Sequence, residues 1–452
     1  MAALFTYVSA EAYLKKGGRL GFVITQSLFK NQGGAGFRGF RYNNTYLAPV
    51  SVVDMVECGV FEGAVNRTAT FVVEKQSAKF EYPVQYTAWF PRIQPDIPED
   101  LPLEEVLSRI SCVKMLARPS VKGLDNSPWL TCPVAFADAI NKVMGRAYYR
   151  AHEGVNSGGL VGAFWVNSNL ESKDGTCLIQ NLHDAGKIKV KSVTDRVEKE
   201  LLYPYIRGRD VQKWSAKESC FYLLPYHATT RECISEVEMR KKFTNAYEYL
   251  LNFKPQLLAR KTAPVRQQMK DGPFYALLGV GPYTVSEWKV VFKDLTELFQ
   301  CCVVGPKDSS MPDKPVIADY TLRLIAVESE DEAHYIAALL NSAPSVAALY
   351  FSSTGVQTQR YHASDAEKIG IPRFTGAEKQ VELSQLSRRC HNAMRKEQSN
   401  ELNGVEEELD KAAASFWGIS SKELKEIRRT LQAVNKASEF AHASFPAQVE
   451  DE

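Results

Sequence analysis

Gly34-Ala35-Gly36-Phe37-Arg38-Gly39 is a literal G-x-G-x-x-G that follows an apolar run, the spacing that in a βαβ unit cradles a dinucleotide pyrophosphate. That fingerprint needs its first glycine in the turn directly after the strand, and here Ser-Leu-Phe-Lys-Asn-Gln-Gly intervenes with no acid-ended strand at the usual distance. Two other readings stand beside it: a plain flexible loop, or a loop lying against phosphates. The second follows from Lys30, Arg38 and Arg41, which occur in a stretch without an acidic residue. Arg207, Arg209 and Lys213 form a second cationic cluster, opposed only by Asp210 and interleaved with Tyr203, Tyr205 and Trp214, and Lys254, Arg260, Lys261 and Arg266 form a third. Each is either a phosphate-neutralising surface or an ordinary solvated face. Gln357, Gln359 and Arg360 carry the side-chain types that pair with adenine and guanine edges, or they belong to a solvated loop. Gly154-Val155-Asn156-Ser157-Gly158-Gly159 offers backbone N–H groups to an anion, or is only a turn.

Other chemistries find no support. The seven histidines show no H-E-x-x-H spacing and the nine cysteines no C-x-x-C pair, so we assign no metal site and no secreted disulfide framework. There is no G-x-S-x-G elbow and no P-loop. A formal net charge of +2, from 55 basic and 53 acidic residues, leaves any nucleic-acid surface to local clusters. No run of about 18 apolar residues is present, and the opening MAALFTYVSAEAYLKKGG puts its basic pair after the apolar stretch, so the expectation is a cytoplasmic protein without a targeting signal.

The elements that must position these groups begin with a helix over 4–16, closed by Gly17 and Gly18. Leu20 to Thr25 then read as a strand buried on both faces of a mostly parallel sheet. VSVVDMVE (50–57) and TATFVVEK (68–75) are separated by a link too short for a parallel crossover, which predicts an antiparallel end to the sheet. From 79 to 126 the text turns irregular and proline-rich and reads as a linker with a short helix near 102–110. A mixed α+β region to 374 contains the strands WKVVF (288–292) and TLRLIAV (321–327) and a helix over 331–342. The tail is helical, with stripes at Leu383, Leu386, Cys390 and Met394, then Val405, Leu409, Ala413 and Phe416, and after Gly418 a capping box at Ser420-Ser421-Lys422-Glu423.

The order helix, YLKKGGRLGFVIT, glycine-rich crossover, VVDMVECGVFEGAVNRTATFVVEK resembles the adenine-N6 DNA methyltransferases found in type IIG restriction-modification enzymes. Downstream, GVNSGGLVGAFWV, LLYPYIRGRDVQKW, YLLNFKPQLLARK and VIADYTLRLIAVESEDEAHYIAALLNS look like that family's target-recognition region, and STGVQTQRYHASDAEKIGIPRF is similar to type I specificity subunits. The resemblance implies an α/β partial methyltransferase sheet with an antiparallel last strand, an α+β target-recognition domain and a C-terminal helical segment. The boundaries expected are 1–78 for the partial sheet, 79–126 for the linker, 127–374 for target recognition, 375–437 for helices and 438–452 for a disordered tail. It also implies that Phe61 packs against a flipped base.

The family's glycine-containing cofactor loop and its Asn/Asp-Pro-Pro-Tyr/Phe tetrapeptide both precede the strand GGRLGFVIT, and no Pro-Pro pair occurs in the sequence. The expectation is that S-adenosylmethionine serves the complete enzyme at a site absent from this chain, that no catalytic residue lies here, and that the chain alone is inactive. Its partners would be double-stranded DNA and an N-terminal methyltransferase half on a separate chain. The rival reading is a stand-alone DNA-binding specificity module; a nucleotide-binding oxidoreductase built on GAGFRG is a third.

Overall fold

The computed structural model describes residues 2–43, 45–55, 58, 60, 68–91, 100–121, 123–261, 263–306, 309–352 and 359–444, with side chains to 434. The first helix spans Ala2–Tyr13 and is followed by β1 (Arg19–Thr25), β2 (Arg41–Tyr42), β3 (Thr45–Asp54), β4 (Thr68–Gln76), β5 (Val84–Pro91), β6 (Ile110–Pro119) and β7 (Trp129–Pro133). These make one sheet in the order β1-β4-β3-β5-β6-β7, with β2 paired to β3. The reversed strand β4 lies between β1 and β3 and is antiparallel to both.

Two expectations are corrected in this sheet. It is mostly antiparallel, β3–β5 being the parallel ladder, and β1 is an edge strand rather than one buried on both faces. With β4 as its one ladder partner among the described residues, β1 leaves Val23 57% exposed. The stretch 79–126 is also not an irregular linker, because β5 and β6 lie in it and continue the sheet. Val84, Tyr86 and Ala88 alternate inward along β5 as a half-buried strand requires.

Farther along the chain come β8 (Ala151–Glu153), β9 (Trp165–Lys173), β10 (Thr176–Asn181), β11 (Thr194–Glu198), β12 (Leu202–Ile206), β13 (Val211–Gln212), β14 (Ser215–Ala216) and β15 (Cys220–Leu223). They are followed by β16 (Trp288–Lys293), β17 (Leu295–Thr296), β18 (Cys301–Val304), β19 (Ile317–Ala318), β20 (Leu322–Val327) and β21 (Gln359–Arg360). A second sheet has the order β11-β10-β9-β15-β12-β19, a third β18-β16-β20-β8, and β13–β14 and β17–β21 are short ribbons. The second sheet has its own core, including Phe164, Tyr205, Tyr222 and Leu250.

The first and third sheets share a core with the C-terminal helices Glu378–Arg395, Ser399–Trp417 and Ser421–Ser444, so apolar packing crosses the expected boundaries at 78, 126 and 374. The capping box forms as read: the Glu423 N–H donates to Ser420 Oγ at 3.3 Å, and Glu423 Oε2 accepts from the Ser420 N–H at 2.8 Å. The last helix continues to Ser444, past the expected start of a disordered tail at 438. Among the described residues no single helix is long and apolar enough to cross a membrane. The one bent pair that passes by composition, Glu330–Asn341 with Ala343–Ser352, is largely buried in the core.

Candidate nucleic-acid interface

The cations of the glycine-rich loop turn inward. Flanking Phe29, Phe37 and Phe40 bury themselves with Phe71 and Trp129, drawing the loop onto the sheet. Arg38, 1% exposed, donates from Nη1 to the carbonyls of Leu28 (2.6 Å) and Asn31 (2.8 Å), and from Nε to those of Asn126 (3.1 Å) and Ser127 (2.8 Å). Burial pulls its pKa down from the ordinary guanidinium value. Gly34 is required beside it, since a Cβ there would stand 2.3 Å from the Leu28 carbonyl oxygen and 2.5 Å from Arg38 Nη1. Lys30, 5% exposed, donates to Thr131 Oγ1 (2.6 Å) and to the Phe351 carbonyl (2.8 Å).

Arg260 behaves the same way in the second core. At 4% exposed it donates to the carbonyls of Leu257, Ser157, Ala276 and Phe274 at 2.7–3.0 Å, and burial lowers its pKa to about 10. It thereby fixes the 154–159 loop, in which Asn156 Oδ1 accepts the Gly158 N–H at 2.8 Å and Gly158 and Gly159 take φ of +70° and +93°. Gln359, 4% exposed, sits in the β17–β21 ribbon. The expectation that Lys30, Arg38, Arg260 and Gln359 face DNA is therefore corrected: buried backbone carbonyls and ladder positions hold them inside. Phe61 and Gln357 lie outside the described residues.

The other candidates stay at or near the surface. Arg41 is exposed and stands 5.8 Å from the Tyr46 ring; Lys254 Nζ is 4.7 Å from the Phe274 ring; Arg209 and Lys261 are exposed. Lys213 pairs with Glu406 (2.6 Å), tying the β13–β14 ribbon to a C-terminal helix. Arg207 lies over the Trp165 ring at 5.6 Å and pairs with Asp210 at 2.9 Å. Burial opposes the charged guanidinium of Arg207, but the Asp210 bonds outweigh it and its pKa is raised. The turn carrying Arg209 is joined to exposed Arg360 through a chain of polar contacts. The Gly208 N–H donates to Thr321 Oγ1 (3.1 Å), the Asp294 N–H donates to the Thr321 carbonyl (3.1 Å), and Asp294 pairs with Arg360 (3.8 Å). The fold thus brings 209 and 360 into one neighbourhood and leaves Arg41 on the first sheet.

Sequence reasoning missed a region beside that neighbourhood. Asn167, Gln180 and Thr194 are direct partners across β9, β10 and β11, all exposed, while Val166, Ile179 and Val197 are buried. With Cys220 and Phe221 of β15 and nearby Glu218, Ser219 and Ser310 they line an open cleft of about 610 Å³. The loop from β10 to β11 carries exposed Lys187, Lys189 and Lys191 around buried Val190. The available signal was the K-x-K-x-K run of 187–191, three cations in five residues without an acid.

At the other end of the molecule, Asp54 at the end of β3 accepts from Gln26 Nε2 (2.8 Å) and from the Tyr86 hydroxyl, and β1 runs through Gln26 into the short helix Ser27–Lys30.

No family model matches the chain. By fold it is similar to the type IIL restriction-modification enzyme MmeI, solved in complex with DNA: the TM-score is 0.51 at 12% identity, covering 96% of this chain and 51% of that one. The type IIG restriction endonuclease BpuSI aligns at a TM-score of 0.30 and 12% identity, over 91% of this chain and 49% of that one. By sequence, the type II methyltransferase M.NspV of Nostoc sp. (strain ATCC 29411 / PCC 7524) is 27% identical over 177 residues, 39% of this chain and 34% of that enzyme. The fold is thus one shared with a restriction-modification enzyme. More particularly, a 177-residue segment of the chain is similar in sequence to a type II methyltransferase. It spans about half the length of the solved relative, and its matched segment about a third of the curated one.

Proposed function

We propose that this chain is the DNA target-recognition portion of a site-specific adenine-N6 DNA methyltransferase of a restriction-modification system. The observation that carries the reading is the reversed strand β4, antiparallel to β3 across a short link, in a chain with a segment similar to a type II methyltransferase. Exposed cations on the second sheet and beside it, Arg209, Lys261 and Arg360 among them, supply the phosphate contacts that position a duplex.

Methyl transfer to an exocyclic amine requires the flipped base to be held beside the sulfonium donor. The family's tetrapeptide carries a Pro-Pro pair and this sequence contains none, so on this reading that step falls to a methyltransferase half. The outer edge of β1 favours this reading over a stand-alone specificity module. Around it Leu4, Phe5, Val8, Tyr13 and Val23 are each at least 50% exposed, an apolar face that a self-sufficient DNA-binding module has no reason to carry.

The test is salt-dependent binding of the purified chain to duplex DNA, with labelled S-adenosylmethionine added in parallel. The expected result is binding that weakens steeply as salt rises, with neither cofactor retained nor methyl transferred. Absence of binding at low salt overturns the recognition role, and cofactor retention overturns the assignment of the donor site to another half.

A further inference from the structure

We propose that the exposed face of the β9–β10–β11 meander is a base-reading surface, with Asn167 and Gln180 in contact with base edges and Lys187 and Lys191 on the adjoining phosphates. The inference rests on the target-recognition reading and names the part of the chain that would do the reading.

Four observations carry it. The first is geometric: Asn167 faces Gln180, and Gln180 faces Thr194, in direct cross-strand register. Adjacent strands are about 4.8 Å apart, so the row is roughly 10 Å long, close to three base-pair steps at ~3.4 Å each. The β9–β10–β11 meander also runs beyond β15, whose ladder with β9 reaches only Trp165 and Val166, so this end of the sheet is not covered by that strand.

The second is chemical. Among the described residues no hydrogen bond or ion pair engages the Asn167, Gln180 or Thr194 side chains, although all three are exposed on a well-formed sheet. Carboxamides present a donor and an acceptor side by side, the pattern that matches the adenine N6/N7 edge. Leu178, 48% exposed on the same face of β10, offers the apolar contact a thymine methyl takes.

The third is electrostatic and decides what enters the cleft. Its lining contains no lysine or arginine and one carboxylate, Glu218. Glu218 Oε2 accepts from the Ser310 N–H (3.0 Å) and hydroxyl (2.6 Å), while Oε1 is buried without a partner. A carboxylate floor repels phosphate and accepts from a base amine, so the cleft suits base edges rather than backbone.

The fourth is the flanking charge. Asn181, 1% exposed, clamps the lysine loop to the sheet by donating to the Gly162 (2.9 Å) and Lys191 (3.0 Å) carbonyls and accepting the Val193 N–H (2.7 Å). That holds the Lys191 end of the loop next to Thr194, with the Lys187 end against the 159–161 segment. On the other side, Trp165 lies two residues before Asn167 on β9 under the Arg207 guanidinium, and Ser219 of the cleft donates to Asp210 (2.6 Å). The turn bearing Arg209 therefore borders the same surface, so cations stand on both sides of a polar, uncharged row.

The test uses the full chain and a duplex library with a randomised centre, selected by binding and sequenced. The wild type should return a preferred sequence. The double variant Asn167→Ala, Gln180→Ala should lose roughly tenfold or more discrimination at one to three adjacent positions, with the salt slope unchanged. Lys187→Ala with Lys191→Ala should weaken binding to all sequences alike and reduce the salt slope by about 2. All four side chains are exposed, so matched thermal melts verify that both variants fold. Retention of the full preference by the carboxamide variant overturns the proposal, as does wild-type binding with no preference at all, and both leave the DNA-binding reading standing. No wild-type binding to any duplex overturns the target-recognition reading itself and this inference with it.

Discussion

Two acid-poor basic loops, 30–41 and 187–191, look alike in sequence and meet opposite fates. In the first, aromatic residues beside the cations sink into the core and carry Lys30 and Arg38 with them, where backbone carbonyls replace water as acceptors. In the second, Val190 alone turns inward from a bent loop, and the lysines stand outside. A local excess of positive charge is thus no indicator of a surface; what separates the two is whether the neighbouring apolar residues lie on the same side as the cation or on the opposite one.

The comparison can be broken most directly at Arg38. Arg38→Ala removes the donor from the Leu28, Asn126 and Ser127 carbonyls, at about 1–3 kcal/mol for each buried group left unsatisfied, and should cost about 3 kcal/mol or more in chemical denaturation. Arg41→Ala, a few residues away on the surface, should stay within about 0.5 kcal/mol. Equal effects would show that the loop is not closed by Arg38.

A third buried cation sharpens the point through pH. Lys289, 1% exposed, donates to the Ser286 and Val316 carbonyls, and burial drops its pKa from 10.5 to about 7. Because the unfolded chain binds this proton more tightly than the folded one, stability should rise as pH increases from about 7 toward 10.5 and be insensitive to this group below 7. Lys289→Met should flatten that rise in urea titrations followed across the window; an unchanged slope would assign it to other groups.

On the exposed side, Val23→Lys on the β1 edge should leave the melting temperature within a few degrees while reducing concentration-dependent self-association in sedimentation velocity. Unchanged association would place the sticky surface elsewhere. The smallest effect is expected for Arg209→Ala: no loss of stability, and a salt slope for duplex binding lower by about 1.

Much of the architecture was legible from local pattern. The helix Glu330–Asn341, the strands around 288–293 and 322–327, the capping box at Ser420 and the antiparallel pairing of β4 follow from periodicity, cap chemistry and a link too short for a crossover. The strands β5 and β6 were hidden by the prolines around them, though Val84, Tyr86 and Ala88 kept the period of two.

By itself the sequence determined which segments are helix and strand and which residue types were available for phosphates and base edges, because those properties depend on neighbours a few positions away. Only the tertiary structure decided which of those groups face outward. The acceptors that retain Arg38 lie up to 89 residues along the chain, and those of Lys30 lie 101 and 321 residues away. Likewise the row of Asn167, Gln180 and Thr194 exists only once three strands are in register, a relation no local spacing encodes.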